Sequence, residues 1–371
     1  MSLFRARRSS LLWALPLVLG ACGGVDEAPP PEETTAGVAA AACSATKLAE
    51  LMAPATTAAP SVLLNCAAVL TGPSATITKK VIIQGLSGRG ARLDCRGGSI
   101  APTQAGGGAY ALAIRSQKVG TAWQRPEDVE VRSCTIRGAV RVYGMGTNGE
   151  AAEVRASSRQ AGHTARAQAA APTDIRLDRL HIIASGTIPL YLSPGTTRVS
   201  FTRSEISGTG SSVAIYLDAE SGHHLIRDNN IHLDSESREQ IAVDGSAHNR
   251  IYSNRFAGLD TGGIYLYRNC GEGGTVRHQS PVENQIIGNV FYYNRYSGSN
   301  PAVWLASRNG WRTYCWDDNG FPWGSSVDNR DFARQNVVAD NLVYVRSVGD
   351  MIVDDDDGPN YFFRNRTVSS G

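Results

Sequence analysis

Asp218 and Asp244 are the residues whose types and spacing most directly suggest chemistry. Each closes a similar run, Ile215-Tyr216-Leu217-Asp218 and Ile241-Ala242-Val243-Asp244. In a strand whose aliphatic residues face inward, both aspartates point outward. On neighbouring strands their Cβ atoms would lie ~5 Å apart, and like charges that close resist joint ionisation. A calcium ion between them, with Glu220 as a further ligand, would relieve the pair. One carboxyl could instead stay protonated and act as general acid to the other's nucleophile or base, as in a glycosidase. Arg268, after the next such run, could neutralise both. A fourth reading gives them no chemistry, only the capping of backbone amides at turns.

A second reaction class uses the same neighbourhood. Removing the C5 proton of a uronic acid requires its carboxylate to be neutralised, by calcium or arginine, and Tyr267, His278 or an arginine would then serve as base and acid. The candidate catalytic residues are therefore Asp218, Asp244, Tyr267, Arg268 and His278. The candidate calcium ligands are Asp218, Glu220 and Asp244.

The elements that must position these residues repeat along the chain. Short runs recur as Cys134-Thr135-Ile136, Leu180-His181-Ile182, Ser204-Glu205-Ile206, Asn229-Asn230-Ile231, Asn254-Arg255-Phe256, Asn289-Val290-Phe291, Asn341-Leu342-Val343 and Asn365-Arg366-Thr367. Their steps are 46, 24, 25, 25, 35, 52 and 24 residues, one coil each with insertions in the longer ones. A second run keeps pace: Leu190-Tyr191-Leu192, Ile215-Tyr216-Leu217, Ile241-Ala242-Val243, Ile264-Tyr265-Leu266, Val303-Trp304-Leu305 and Met351-Ile352-Val353. Short strands of this kind bury a face only by stacking coil on coil. Asparagines at the turns would form a ladder along the axis and tolerate left-handed backbone there. Helix-like periodicity is confined to about residues 44–53, a cap for the first coil.

Over about residues 62–368 this repeat resembles the right-handed parallel β-helix superfamily, which includes pectate lyases, alginate lyases and epimerases, polygalacturonases and periplasmic NosD-like proteins. The resemblance implies an all-β solenoid and a polysaccharide-active protein, but no single reaction. The Asp-Pro-His-Asp motif of alginate epimerases is absent, as are the Gly-His-Gly and Arg-Ile-Lys motifs of polygalacturonases.

In this register two outward rows run along the axis. One reads Arg141, Tyr191, Tyr216, Ala242, Tyr265, Trp304, Ile352; the other reads Tyr143, Ser193, Asp218, Asp244, Tyr267, Ala306, Asp354. Coils stack ~4.8 Å apart, close to the repeat of an extended sugar chain, and aromatic faces pack on sugar C–H groups. Exposed aromatics that merely suit strand surfaces are the alternative. Insertions at 144–173, 268–283 and 307–336 all follow the same strand and emerge from one edge, where they would wall a groove. They carry Arg155, Arg159, His163 and Arg166; then Asn269, Glu272, Arg277 and His278; then Arg308, Trp311, Arg312 and Trp316. Candidate substrate-binding residues are Tyr191, Tyr216, Tyr265, Trp304, Arg308 and Arg312, and the arginines favour an anionic polysaccharide. The acidic run Asp354 to Asp357 reads as a solvated tip.

The ends of the chain bear on location. Arg5, Arg7 and Arg8, an apolar run from Leu11 to Leu19, and Leu19-Gly20-Ala21-Cys22 read as a lipoprotein signal over 1–21 with Cys22 lipidated. Residues 22–42 form a flexible linker rich in Ala, Pro, Glu and Thr, and 43–371 the folded domain. This predicts a protein lipid-anchored in the envelope of a Gram-negative bacterium, with no membrane contact beyond the anchor. The six remaining cysteines suggest disulfides in an oxidising compartment. The pairs expected are Cys43–Cys66 in the cap, Cys95–Cys134 between early coils and Cys270–Cys315 between two insertions. The formal net charge is +2, and without residues 1–21 it is −1, from 33 bases and 34 acids. That balance disfavours nucleic acid. No Gly-rich phosphate loop opens a helix, and a monomer is expected. Three classes remain: an acidic-polysaccharide lyase or C5-epimerase, a glycoside hydrolase using Asp218 and Asp244, or a non-catalytic glycan-binding protein.

Overall fold

The computed structural model describes residues 40–103, 110–294, 299–309, 312–345 and 351–369. The chain divides at Ala36/Gly37, and all of these residues belong to the second unit. The signal peptide, Cys22, most of the linker and Trp311 lie outside the described residues. Ala40 and Ala42 already bond to Gly90 and Ala67, so contact with the coils begins slightly before Cys43.

Aliphatic residues at alternate positions build three long parallel sheets, of ten, ten and eleven strands among the described residues. Successive coils contribute one strand to each sheet, giving a right-handed parallel β-helix. The first sheet carries Val140–Tyr143, Leu190–Leu192, Ile215–Leu217, Ile241–Asp244, Ile264–Tyr267, Val303–Leu305 and Ile352–Asp354 in neighbouring order. Its outward register runs Arg141, Tyr191, Tyr216, Ala242, Tyr265, Trp304 as the sequence indicates. The last step differs: Trp304 pairs with Val353, not Ile352, and Asp354 pairs with Leu305, not Ala306. Inward residues such as Ile215, Leu217, Ile241 and Val243 are fully buried, and the rings of Phe256 and Phe291 stack at 4.7 Å.

Two side-chain ladders run along the turns. In one, Asn229, Asn254, Asn289, Asn341 and Asn365 link side chain to side chain at 2.9 to 3.1 Å. Each side-chain oxygen also accepts the backbone N–H of the coil before it. The second ladder, Asn249, Asn284, Asn336 and Asn360, sits at the bend that leads into the second sheet and is not apparent in the repeat pattern. The left-handed residue is not the asparagine, as the sequence suggests, but the one before it: Asp228, Ser253, Gly288, Asp340 and Arg364 all have φ between 54° and 66°. That residue turns the chain, and the asparagine then fastens neighbouring coils.

Helix α1 (Ala45–Met52), capped by Ser44, closes the amino-terminal end and buries Leu51. The three expected disulfides are formed: Cys43–Cys66, Cys95–Cys134 and Cys270–Cys315.

Candidate functional site beneath the insertions

The three insertions do not stand apart as walls; they interlock and cover part of the first sheet. The first contains helices α2 (Ala152–Ser158) and α3 (His163–Ala170). Arg159 donates to the Gly274 carbonyl at 3.1 Å and Thr275 to that of Gly149 at 2.8 Å, joining the first insertion to the second. The second meets the third through Arg277 N–H donating to Ser325 Oγ and through Cys270–Cys315.

Beneath this roof Asp218 and Asp244 sit side by side, at 1% and 0% exposure. They point out of the solenoid as expected, but into protein rather than water. Tyr191 donates to Asp218 Oδ2 and Tyr216 to Asp244 Oδ2, both at 2.7 Å. Each tyrosine thus reaches the aspartate one coil further along, and the two rings stack at 4.9 Å. Asp244 also accepts the Asn269 backbone N–H and side-chain amide, both at 2.8 Å, and Asp218 accepts the Ala219 N–H. The countercharge is Arg277, whose side chain is 2% exposed and lies 3.5 Å from Asp218 and 3.8 Å from Glu272.

Burial, which outweighs Arg277 and is reinforced by Asp244, pushes the Asp218 carboxyl up to about 6. Burial, with the neighbouring carboxylates, also raises the Tyr191 and Tyr216 phenols well above their ordinary value, so both remain neutral donors. Burial opposes the charge on Arg277, but Asp244 and Asp218 prevail and raise its pKa.

Several expected roles change. Arg268 is not the neutralising residue: its side chain turns away to the carbonyls of Asp328 and Arg330, and its N–H is held by Asp331. Tyr267 is fully buried, with its hydroxyl between Arg238 and Glu239. Burial raises its phenol, and full burial keeps its oxygen out of a substrate's reach. His278 Nε2 is 2.7 Å from the Ser158 carbonyl, and its ring packs near His163 and Trp323, away from the carboxylate pair. Glu220 is also occupied elsewhere, by Thr164 and the backbone N–H groups of His278 and Gln279. Asp218, Glu220 and Asp244 therefore form no cation cage, and no cluster of three or more His, Cys, Asp or Glu fit for a metal occurs among the described residues.

The aromatic row is partly covered. Tyr191, Tyr216 and Trp304 are half-buried, whereas Tyr265 is buried with its ring edge-on to Trp304 at 5.4 Å. Arg141 lies over Tyr191 at 5.3 Å, and Trp304 donates to Asp355 at 2.8 Å. The acidic run is likewise an anchor, with Asp356 and Asp357 paired to Arg334. Arg308 is half-buried, lies 3.9 Å from the Tyr267 ring centroid and donates to Asn269. Arg312 is half-buried on the third insertion, and no hydrogen bond or ion pair among the described residues joins its side chain to the cluster. The residues without an expected role are Arg277, Asn269, Arg238 and Glu239; Arg277 and Asn269 occur in the second insertion, but only its folded path brings them to Asp218 and Asp244.

The fold and site define a parallel β-helix protein with a roofed tyrosine–carboxylate cluster rimmed by arginines. No protein-family model matches the chain, and no curated protein matches it. Among solved structures it is similar to the A-module of the Azotobacter vinelandii mannuronan C-5 epimerase AlgE6, with 12% identity, a TM-score of 0.33, and coverage of 91% of this chain and 98% of that one. It is also similar to the Dettilon tailspike protein, with 13% identity, a TM-score of 0.31, and coverage of 82% of this chain and 61% of that one. At these values neither neighbour assigns a residue or a reaction to this chain.

Proposed function

We propose that this protein acts on an acidic, uronate-containing polysaccharide outside the cytoplasm, as a lyase or C5-epimerase. The observation that carries this reading is the pair of stacked, half-buried tyrosines, each hydrogen-bonded to a buried carboxylate, with Asn269 linking Tyr216 to the half-buried Arg308. Both reactions remove a proton from the carbon beside a carboxylate, so both need a cation for that carboxylate and an acid–base group for the proton. Arg308 supplies the cation. A tyrosine takes the C5 proton on its phenolic oxygen while passing its own proton to the aspartate behind it. Asp218, titrating near 6, can carry that proton close to neutral pH.

In elimination the C5–H electron pair becomes the C4–C5 double bond, the C4–O bond breaks and the leaving oxygen takes a proton. In epimerisation a water on the opposite face of C5 delivers a new proton, its hydroxide being neutralised by the proton that leaves through the tyrosine–aspartate pair. Hydrolysis through Asp218 and Asp244 is disfavoured, because carboxylates exposed by 1% or less cannot touch a sugar. The lipobox-like start supports attachment at Cys22 to the envelope of a Gram-negative cell.

The test is to incubate the mature chain with polyuronates and neutral glycans. Ultraviolet absorbance, reducing ends and C5 configuration by NMR are followed together. A rise in absorbance with reducing ends, or inversion at C5, is expected on a polyuronate. Tyr191→Phe should slow it by ~10²–10⁴-fold with binding little changed. Reducing ends without absorbance, or no product from any polymer, would overturn the proposal.

A further inference from the structure

We propose that the cleft between the hairpin of residues 117–124 and helices α2 and α3 is a second saccharide subsite, taking a pyranose unit stacked on Trp123. The inference rests on the polysaccharide reading above and extends it to a surface outside the tyrosine–carboxylate cluster.

The hairpin pairs Gln117–Val119 with Ala122–Gln124 and follows the first-sheet strand Leu112–Arg115, so it leaves the solenoid at the same edge as the insertions. Its register sets Lys118 opposite Trp123, with Nζ 5.8 Å from the indole centroid. Lys118 reaches across to Glu153 of α2 at 2.6 Å. The cleft between them has a volume of about 680 Å³ and adds Met145, Thr121 and Gln160 to its lining. That volume lies within the ~300–1,000 Å³ usual for small-ligand clefts.

The chemistry fits a sugar ring. An indole face offers an apolar surface to axial C–H groups, while its N–H and the ring's hydroxyls seek polar partners. The Lys118–Glu153 pair provides a donor and an acceptor side by side, and the Gln160 amide and Thr121 hydroxyl add one of each. Neither the indole N–H nor the Gln160 amide has a hydrogen-bond partner among the described residues. An acyl chain would cover the same apolar floor but leave these groups unpaired. The strand that leads into the hairpin, Leu112–Arg115, lies three coils before that of Tyr216 in the first sheet, ~14 Å along the axis at ~4.8 Å per coil. A chain held over Tyr216 therefore reaches the cleft only if it is several units long.

The experiment measures binding of short and long oligouronates to the mature chain by calorimetry, in wild type, Trp123→Ala, Gln160→Ala and Arg308→Ala. Trp123 and Gln160 lie on the surface away from the core, and circular dichroism checks that each variant is folded. Trp123→Ala should weaken long oligomers about tenfold and leave short ones unchanged, with a smaller loss in the same sense for Gln160→Ala. Arg308→Ala should weaken both lengths. Wild-type affinity for long chains in Trp123→Ala, with Arg308→Ala still impaired, would overturn the subsite alone. So would an equal loss for short and long chains in Trp123→Ala. No binding of any oligouronate by the wild type would overturn the subsite together with the polysaccharide reading.

Discussion

Replacing Arg277 by methionine tests the electrostatics of the buried cluster. The guanidinium lies 3.5 Å from Asp218, and both side chains are 2% exposed. At an effective dielectric of ~20, charges at that distance attract by ~5 kcal/mol. Much of this offsets the cost of desolvating both groups, so the net value of the pair is smaller. Methionine keeps most of the apolar stem but leaves Asp218 without that countercharge, a change that usually costs ~3–5 kcal/mol. The variant escapes part of that cost by protonating Asp218, and this makes the loss depend on pH.

At pH 5 the wild-type carboxyl, with its pKa near 6, is already mostly neutral. The loss there should be the Arg277 Nε–H donated to the Asn269 carbonyl and some packing, ~1–2 kcal/mol, together with the attraction of Arg277 to Asp244, which Asp218 protonation leaves in place. Above pH 6 the wild type ionises and the variant does not, which adds up to ~1.4 kcal/mol per pH unit, or ~3 kcal/mol more at pH 8. Urea unfolding of wild type, Arg277→Met, Asp218→Asn and the double variant at both pH values measures this increment. It should vanish when Arg277→Met is made in the Asp218→Asn background. An equal loss at pH 5 and pH 8, or an increment that persists in that background, would refute the assignment of Arg277 as the countercharge of Asp218.

Two further outcomes follow from the same geometry. Burial raises Asp218 to about 6 and Asp331 to about 7, so the stability they contribute is fully present below about pH 4 and lost as pH rises through those values. Asp328 and Asp340 are lowered by their hydrogen bonds to Arg330 and Arg364, and their contribution is lost in the opposite direction, as pH falls below about 4. Burial lowers His163 to about 4 and His224 to about 3, so their contribution, present above about pH 6.5, is also lost as pH falls. Asp331→Asn should therefore remove one carboxyl's share of the stability lost as pH rises from about 4 to about 7, and a thermal-midpoint slope unchanged from wild type over that range would contradict this. Asn289→Ala removes an acceptor for the Asn254 N–H and amide and a donor to Asn341 and Ile251. It should cost ~3–5 kcal/mol in denaturant unfolding, against ~1 kcal/mol for Asn365→Ala at the half-exposed end of the ladder.

The solenoid is legible in the sequence because its determinants are local and repeated. Ile206, Ile231, Phe256, Phe291 and Val343 recur in one slot, and each pairs with the next in the structure. The same periodicity places Asp218 beside Asp244 and Tyr191 beside Tyr216. It fails at Trp304, which stands opposite Val353, although Val337–Ala339 and Leu342–Val345, both beyond the third insertion, keep the expected register.

What alternation cannot encode is the cover over an outward face. Whether Asp218 meets water or Arg277 depends on the path of the second insertion, and that path is fixed by partners far away in sequence, such as Gly149, Ser158 and Ser325. Arg268 illustrates the point. Its place after the run that ends at Tyr267 suggests a countercharge for Asp218 and Asp244, yet Asp331, 63 residues later, holds its N–H and its side chain leaves the cluster. Arg277 has no strand pattern around it and occupies the place assigned to Arg268. The repeat therefore identifies the outward carboxylates and aromatics, while the insertions decide which of them are screened, which arginine serves them and how much of each phenol a substrate can reach. On such a scaffold, chemistry can change through insertion length and sequence while the coils stay the same, which is why the fold alone does not choose among lyase, epimerase and hydrolase.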